Sequence, residues 1–347
     1  MKRAISNPAV IVGICVFGAS AVLAQTPSTR RRPDADALTF ILAQASRAPE
    51  ASTPGYPSKP IRIFTTEVGG ASDLPARLIA KELQASLGQP VVVENRAIIG
   101  VELVAQAAAD GHTLLHYTSP LWIIPLFRSN VSWDVNRDFT PVGLTVVTPN
   151  VLVVHPSLPV KSVKELIVLA KARPGDLNYG SSSTGSSNHL AGELFKSMAG
   201  VKIVRIAYKG GGSSLNALIA GELQLAFPSA GSAMGHVKAG KLRALAVTSA
   251  EPSALTPGLP TVAASGLPGY ESISYTGLFA PAKTPAALVN RLSQEVAQGL
   301  RVPAVKERLF NVGSEVIASS PAEATATIRS ETERIRKLIN DAGLREN

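Results

Sequence analysis

Three polar stretches rich in glycine and serine hold the residues best suited to grip a small molecule. They are Val68-Gly69-Gly70-Ala71-Ser72-Asp73, Ser181-Ser182-Ser183-Thr184-Gly185-Ser186-Ser187-Asn188-His189-Leu190 and Tyr208-Lys209-Gly210-Gly211-Gly212-Ser213-Ser214. Each stands between a strand signal and a helix signal. Loops of this kind bring bare backbone N–H groups and hydroxyls to a helix N-terminus, where the donors of the first turn are unpaired and the dipole is positive. Such a terminus binds an anionic group without a lysine or arginine. Lys209 is the single cation in these stretches.

Residues for turnover do not accompany them. Ser186 and His189 share a helix face at i, i+3 spacing, but no orienting acid is evident, and a helix start explains Ser186 as a cap. His112, His116, His155 and His236 lack metal-ligand spacing. Gly235-His236-Val237-Lys238-Ala239-Gly240-Lys241 matches the opening of a phosphate-binding P-loop. Leu242 stands where that motif needs Ser or Thr, and a strand signal follows where a helix should begin. The residues read as a protein that holds a small anion and does no chemistry on it, with no cofactor and no metal.

The elements that position these loops alternate from Lys59 onward. Ile61 to Thr65 is a β-branched run that leads through the first glycine loop to a helix over Leu74 to Leu87, which Asp73 would cap and Gly88 would end. Further strands are expected at Pro90 to Glu94, Thr113 to Tyr117, Val142 to Val147, Val151 to His155, Leu177 to Gly180, Ile203 to Ala207, Leu223 to Phe227 and Leu242 to Thr248. Helices are expected over Val101 to Ala109 and from near Ser186, Gly212 and Ala230. Ser162 to Glu165 has capping-box spacing, and Pro174-Gly175 stops the helix it starts. Thr284-Pro285 and Ser320-Pro321 each read as a cap followed by Pro at the first helical position. Repeated β-loop-α units imply an α/β fold with mostly parallel sheets, in which ligands bind beyond the carboxyl ends of the strands.

The chain has 347 residues, 45% hydrophobic and 17% charged, enough for two compact domains. The formal charge of +9 is scattered apart from Arg30-Arg31-Arg32, and aromatics are 5%. A nucleic-acid binder would show a clustered basic face with interleaved aromatics, so no nucleic-acid partner is expected. Lys2 and Arg3, the apolar run Ala9 to Leu23 and the small residue Ala24 form an export signal over 1–24, too short to span a membrane. Cleavage near Ala24 would remove Cys15, the single cysteine. Residues 25–56 read as a disordered linker rich in Pro, Ala, Ser, Thr and Arg.

From about Tyr56 to the C-terminus the chain resembles the periplasmic substrate-binding proteins of tripartite tricarboxylate transporters, the Bug-type receptors. The resemblance is carried by Tyr56-Pro57-Ser58-Lys59-Pro60-Ile61-Arg62-Ile63, Gln89-Pro90-Val91-Val92-Val93-Glu94-Asn95-Arg96, Asp110-Gly111-His112-Thr113 and Leu177-Asn178-Tyr179-Gly180-Ser181-Ser182. It continues through Tyr208-Lys209-Gly210, Gly240-Lys241-Leu242-Arg243-Ala244-Leu245-Ala246-Val247-Thr248, Leu259-Pro260-Thr261-Val262 and Gly277-Leu278-Phe279-Ala280-Pro281. It implies a two-lobed, type II periplasmic-binding-protein-like α/β fold whose lobes close on a small carboxylate in the periplasm. The partners implied are membrane permease subunits, or alternatively a sensor kinase; a hydrolase or isomerase of small acids is a more distant alternative.

Carried over residue by residue, the ligand loops are Gly69, Gly70, Ala71, Ser72 and Asp73, then Thr118 and Ser119, then Ser182, Thr184, Ser186 and Ser187, then Tyr208, Gly210, Gly211 and Ser213. Trp122 follows Thr118-Ser119 and reads equally as cleft lining or as packing. The expected lobes are 57–155 with 273–347, and an inserted 156–272, with hinge strands near Asn150 to Pro156 and Ser274 to Pro281. Three departures bear on the ligand: Glu67 before the first loop, a short apolar loop Ala97-Ile98-Ile99-Gly100, and Pro228 after Phe227. Glu67 would repel a polyanion or receive a ligand amine, so the ligand is expected to be a small organic acid or amino-acid-like molecule.

Overall fold

A computed structural model describes residues 55–344. The expected export signal and nearly all of the expected linker lie outside the described residues. Two mixed sheets organise the rest. The first begins with β1 (Ile61–Thr65), β2 (Val91–Asn95) and β3 (Thr113–Thr118), with helices α1 (Asp73–Leu87) and α2 (Ala97–Ala105) between them. After β3 come α3 (Pro120–Phe127), the short α4 (Val135–Asp138) and the long strand β4 (Phe139–Pro149).

The chain then builds the second sheet. It runs through β5 (Val151–Val154), α5 (Val163–Ala172), β6 (Asn178–Ser181), α6 (Ser187–Ala199), β7 (Val204–Ala207), α7 (Gly211–Ile219), β8 (Leu225–Ala226), α8 (Ala230–Lys238) and β9 (Arg243–Val247). It returns to the first sheet through β10 (Ile273–Pro281) and ends in α9 (Ala286–Arg301), α10 (Pro303–Asn311), β11 (Glu315–Val316) and α11 (Pro321–Ala342).

The strand orders are β11-β4-β10-β3-β1-β2 and β7-β6-β8-β5-β9. Mostly parallel sheets are expected from the β-loop-α repeat, and the β1, β2, β3 and the β6, β7, β8 groups are parallel. Elsewhere the sheets are antiparallel. β10 opposes both β3 and β4, and β5 opposes both β8 and β9. The cause is the connection itself. β4 leaves the first sheet and β10 re-enters it, so the two must run in opposite directions.

The change of sheet falls at Asn150. Val151 to Val154, expected in the first lobe with a boundary near 155, lie in the second sheet between β8 and β9. All four are fully buried, which a strand covered on both faces requires. Thr248 ties the exit to the return. Its hydroxyl accepts from the Asn150 N–H at 2.9 Å and lies 2.9 Å from the Asn150 carbonyl and 2.6 Å from the Ser272 carbonyl. Its backbone N–H donates to the Asn150 carbonyl, and its own carbonyl accepts from the Ser272 N–H.

Both faces of the first sheet carry core. Ile61, Ile63, Leu114, Val142, Leu278 and Ala280 pack under α1, α9 and α10. Phe64, Leu115, Leu144 and Phe279 pack under α2, α3 and α11. Each of these side chains other than Ala280 contributes about 1.5–3 kcal/mol of burial. α11 starts with the full capping box: the Ser320 hydroxyl accepts from the Glu323 N–H, and the Glu323 carboxylate accepts from the Ser320 N–H. Leu190 of α6 joins the cluster around α3 and α11, so helices of the two sheets share apolar contact.

Two helices differ from expectation. α2 begins at Ala97, so Ala97-Ile98-Ile99-Gly100 is a helical turn and not a loop. α3 has no counterpart among the expected elements, because Pro125 lies inside it. A proline there removes the donor for the carbonyl four residues earlier. That carbonyl is Leu121, and the Trp133 indole N–H donates to it at 2.8 Å.

Candidate functional site

The first glycine loop joins β1 to α1. Its hydroxyl chemistry faces inward. Ser72 is fully buried, with its Oγ 2.8 Å from Thr65 Oγ1 and 2.9 Å from Thr66 Oγ1. Ser72 occupies the cap position without making a side-chain cap bond, and Asp73 is the first helical residue and not the cap. The Asp73 carboxylate accepts from the Gly69 N–H and Arg77 Nε at 2.9 Å each and from Asn95 Nδ2 at 2.9 Å. Burial opposes its ionisation, but the bonds from Asn95, Gly69 and Arg77 outweigh that and hold it below the ordinary carboxylate range. Gly69 and Ala71 remain exposed, and no heavy atom lies within 4 Å of where a Gly69 Cβ would stand.

The β3–α3 junction puts Thr118 and Ser119 at the same end of that sheet, both nearly buried. Ser119 is pinned to β10: its N–H donates to the Tyr275 carbonyl at 2.9 Å and its Oγ accepts from the Tyr275 N–H at 3.0 Å. Trp122 is a core residue and not cleft lining. It is 1% exposed, and its indole N–H donates to Glu331 Oε2 at 2.9 Å. Trp133 is buried as well.

The second loop joins β6 to α6 and is organised around Asn188. Asn188 Oδ1 accepts from the Ser182 N–H at 3.3 Å, the Ser182 hydroxyl at 3.0 Å and the Ser186 hydroxyl at 2.6 Å. With the carbonyl so committed, the amide nitrogen is left to face the third loop, 3.7 Å from where a Gly211 Cβ would stand. Ser186 thus bonds to Asn188 and not to His189, and the nucleophile–base pair weighed in the sequence does not form. His189 is buried, with Nδ1 accepting from the Gly185 N–H at 3.1 Å. Gly185 adopts φ +81°, and a side chain there would meet Phe127 of α3. Arg205, in β7, stitches the loop from beneath with bonds to Ser181 Oγ, Thr184 Oγ1 and the Ser182 carbonyl at 2.7, 3.2 and 2.9 Å.

The third loop joins β7 to α7. Gly210 is the cap residue, and Ser213 Oγ accepts from the Gly210 N–H at 3.3 Å. Gly211 and Ser213 are exposed, and Tyr208 is half-buried. The structure therefore ties Ser182 and Ser186 to Asn188, whose amide nitrogen faces Gly211, and brings Ser119 and Ser187 to one small shared cavity. Among the described residues, the hydrogen bonds of Gly69, Ser72 and Asp73 that involve a side chain run to their own sheet, loop and helix. Gly235 to Lys241 is the end of α8 and the turn into β9, a helix-to-strand order opposite to a P-loop. Among the described residues no group of His, Cys, Asp or Glu could hold a metal ion, and no helix is long and apolar enough to cross a membrane.

Sequence reasoning missed Asn188, Arg205 and Glu331. Asn188 had a signal, an Asn in the first turn of a helix after two loop serines. Glu331 falls at helical spacing between Ile328 and Ile335 on the buried stripe of α11, while Arg205 acts through contacts that no local pattern announces.

Two sheets joined by an exit strand and a return strand, with βα loops at their carboxyl ends, match the architecture of solved periplasmic binding proteins such as BugD, which superposes with a TM-score of 0.70. Residues 75–344 match the family model of the tripartite tricarboxylate transporter family receptor. The chain belongs to that family, as its sequence resemblance implies. Protein BugT of Bordetella pertussis is 33% identical over 88% of this chain and 96% of its own length. The R. palustris protein Rpa4515, solved with adipate, superposes with a TM-score of 0.72 at 36% identity, covering 83% of this chain and 98% of that one. MatC from Rhodopseudomonas palustris, solved with bound malate, superposes at 0.69 with 27% identity, covering 82% and 99%.

Proposed function

We propose that this chain is an extracytoplasmic receptor for a small carboxylate-bearing metabolite and delivers it to membrane permease subunits. The observation that carries the reading is Asn188. Three donors of its own loop hold its carbonyl, so its amide nitrogen projects as a fixed donor beside the exposed N-terminus of α7. A carboxylate there meets backbone N–H groups, an amide donor and the positive ends of α6 and α7. Similarity to receptors solved with adipate and malate supports a dicarboxylate or a related acid.

In this reading the ligand loops are Gly69 to Asp73, Thr118 with Ser119, Ser182 to Ser187 and Tyr208 to Ser213. The first lobe is the first sheet with its helices, and the second is the inserted sheet, from Asn150 to Ser272. They close about the Asn150–Thr248–Ser272 junction. Ser72 acts through its place in the loop, since its hydroxyl is turned inward. The export signal at 1–24 takes the chain to the periplasm, and the cargo leaves unchanged.

Calorimetry against adipate, malate, monocarboxylates and amino acids tests the reading. Saturable one-to-one binding of at least one acid, recovered intact after long incubation, is expected. Folded protein that binds none of the panel, or that consumes the acid it binds, would overturn it.

A further inference from the structure

Glu331 is a carboxyl group that the ligand loops do not use, yet it lies where both lobes meet. It projects from α11 and is 5% exposed. Its Oε2 accepts from the Trp122 indole at 2.9 Å and sits 3.5 Å from the Ser119 hydroxyl. Ser119 in turn is bonded to Tyr275 of the return strand. On its other side Glu331 borders a cavity of about 10 Å³ shared with Ser119, Gly185, Ser187 and Ser272. That is about the space one water needs. The cavity wall therefore mixes the Ser119 corner with the second loop and exists only while the two are in contact.

We propose that Glu331 is the positioning residue for the Ser119 corner of the cleft, and that it takes up a proton when the second lobe closes over it. The proposal rests on lobe closure as read above. The groups around Glu331 are few. Arg334 is one turn along α11 and donates to the Glu271 carbonyl, and the Glu271 carboxylate and Tyr275 face it from the return segment. α3 contributes Trp122 and Ser119, neither titratable in this range. The second loop brings Gly185 and α6 brings Ser187 and Leu190 to the cavity, and the titratable His189 of α6 turns Nδ1 to the Gly185 N–H.

Burial pushes the Glu331 carboxyl up to about 7, against the Trp122 bond and the Arg334 charge, and Glu271 adds to the rise. Opening the lobes would admit water and return it toward the ordinary carboxylate range. A group that binds its proton more tightly in the closed form favours closure as the pH falls through that value.

Small-angle scattering of the ligand-free chain at pH 8 and pH 6 tests this without any cargo. The wild type should become more compact at pH 6. Glu331→Gln keeps an oxygen for Trp122 and carries no charge, so it should be compact at both. Adipate calorimetry is the second arm: wild-type affinity should rise up to about tenfold from pH 8 to pH 6 with proton uptake, and Glu331→Gln should stay at the acid-side value throughout. A wild type whose scattering is unchanged, or a Glu331→Gln variant that follows the wild-type shift, would overturn the proposal. Compaction with no adipate binding would uphold it and count against adipate as cargo.

Discussion

Asn188 and Gly211 approach each other across the mouth of two loops, with the Asn188 amide nitrogen 3.7 Å from the position a Gly211 Cβ would take. That spacing is ordinary contact for a methyl group and leaves the passage open for a ligand oxygen while Gly211 has no side chain.

The first prediction separates this amide from the nearby cations. Asn188→Asp puts a negative charge where the ligand's charge should sit, and binding of adipate should weaken by about 100-fold or more, the value of two charge-assisted hydrogen bonds. Lys209→Met should cost less than about fivefold, because Lys209 lies on an exposed loop where charge is screened. Calorimetry on both variants decides it. Strong loss in Lys209→Met with Asn188→Asp near wild type would identify the wrong group.

A second prediction concerns the junction between the sheets. Thr248→Val keeps the shape of the side chain but strips the buried Asn150 N–H and Ser272 carbonyl of a partner. Unfolding in urea should show a loss of about 1–3 kcal/mol. Thr248→Ser, which retains the hydroxyl, should recover most of it. A full loss in Thr248→Ser with Thr248→Val near wild type would mean that packing of the methyl group, not the hydrogen bonds, holds the junction.

Two buried groups give the chain opposite pH responses. His116 donates toward the Ser72 carbonyl, and burial lowers it to about 4 from 6.5, with that bond opposing the fall. Its contribution is present above pH 6.5 and is lost as the pH falls toward 4, since the unfolded chain takes the proton first. Glu331 is raised to about 7 from 4.5. Its contribution is fully present below pH 4.5 and lost as the pH rises through 7. The two nearly cancel between pH 4.5 and 6.5. Glu331→Gln should therefore unmask His116, and stability should rise with pH across that window by roughly 2–3 kcal/mol, one proton's slope. Chemical denaturation at four pH values would show it. A variant as flat as the wild type would remove one of the two groups from the account.

A fourth prediction uses a backbone contact. A Cβ on Gly231, at the start of α8, would stand 2.7 Å from the Val312 carbonyl oxygen in the turn after α10. Backbone cannot yield as a side chain does, so Gly231→Ala should cost about 1–3 kcal/mol. Hydrogen exchange should then quicken around residues 230–233 and 311–314 together. Faster exchange confined to α8 would show that the two segments do not depend on each other.

Much of this architecture was legible where local chemistry decides structure. Gly88 ends α1 in the left-handed conformation, and Ser320 with Glu323 forms the capping box their spacing implies. The loops were legible for the same reason: serines and glycines after a β-branched run have few other uses. α3 was hidden because Pro120 to Phe127 is almost wholly apolar and carries an internal proline, with no periodicity to separate helix from strand. The sheet change at Asn150 was misplaced because Val151 to Val154 pairs with β8 and β9, more than 70 residues downstream in register. Glu331 meets Trp122 across 209 positions of chain. Its place on α11, between Ile328 and Ile335 at helical spacing, puts it on the buried stripe, but the period does not say which residue it would meet there.

The strand order of the first sheet also sets a timetable for the growing chain. β10 sits in the middle of that sheet, between β4 and β3, but it follows the whole second sheet in the chain. Until residues 273–281 have emerged, β3 and β4 face each other across an empty lane with unpaired edges. The second sheet has no such dependence, since all five of its strands come before residue 248. A chain that stops before the return strand would carry one finished lobe and one with open edges. The first lobe to begin is the last to be completed.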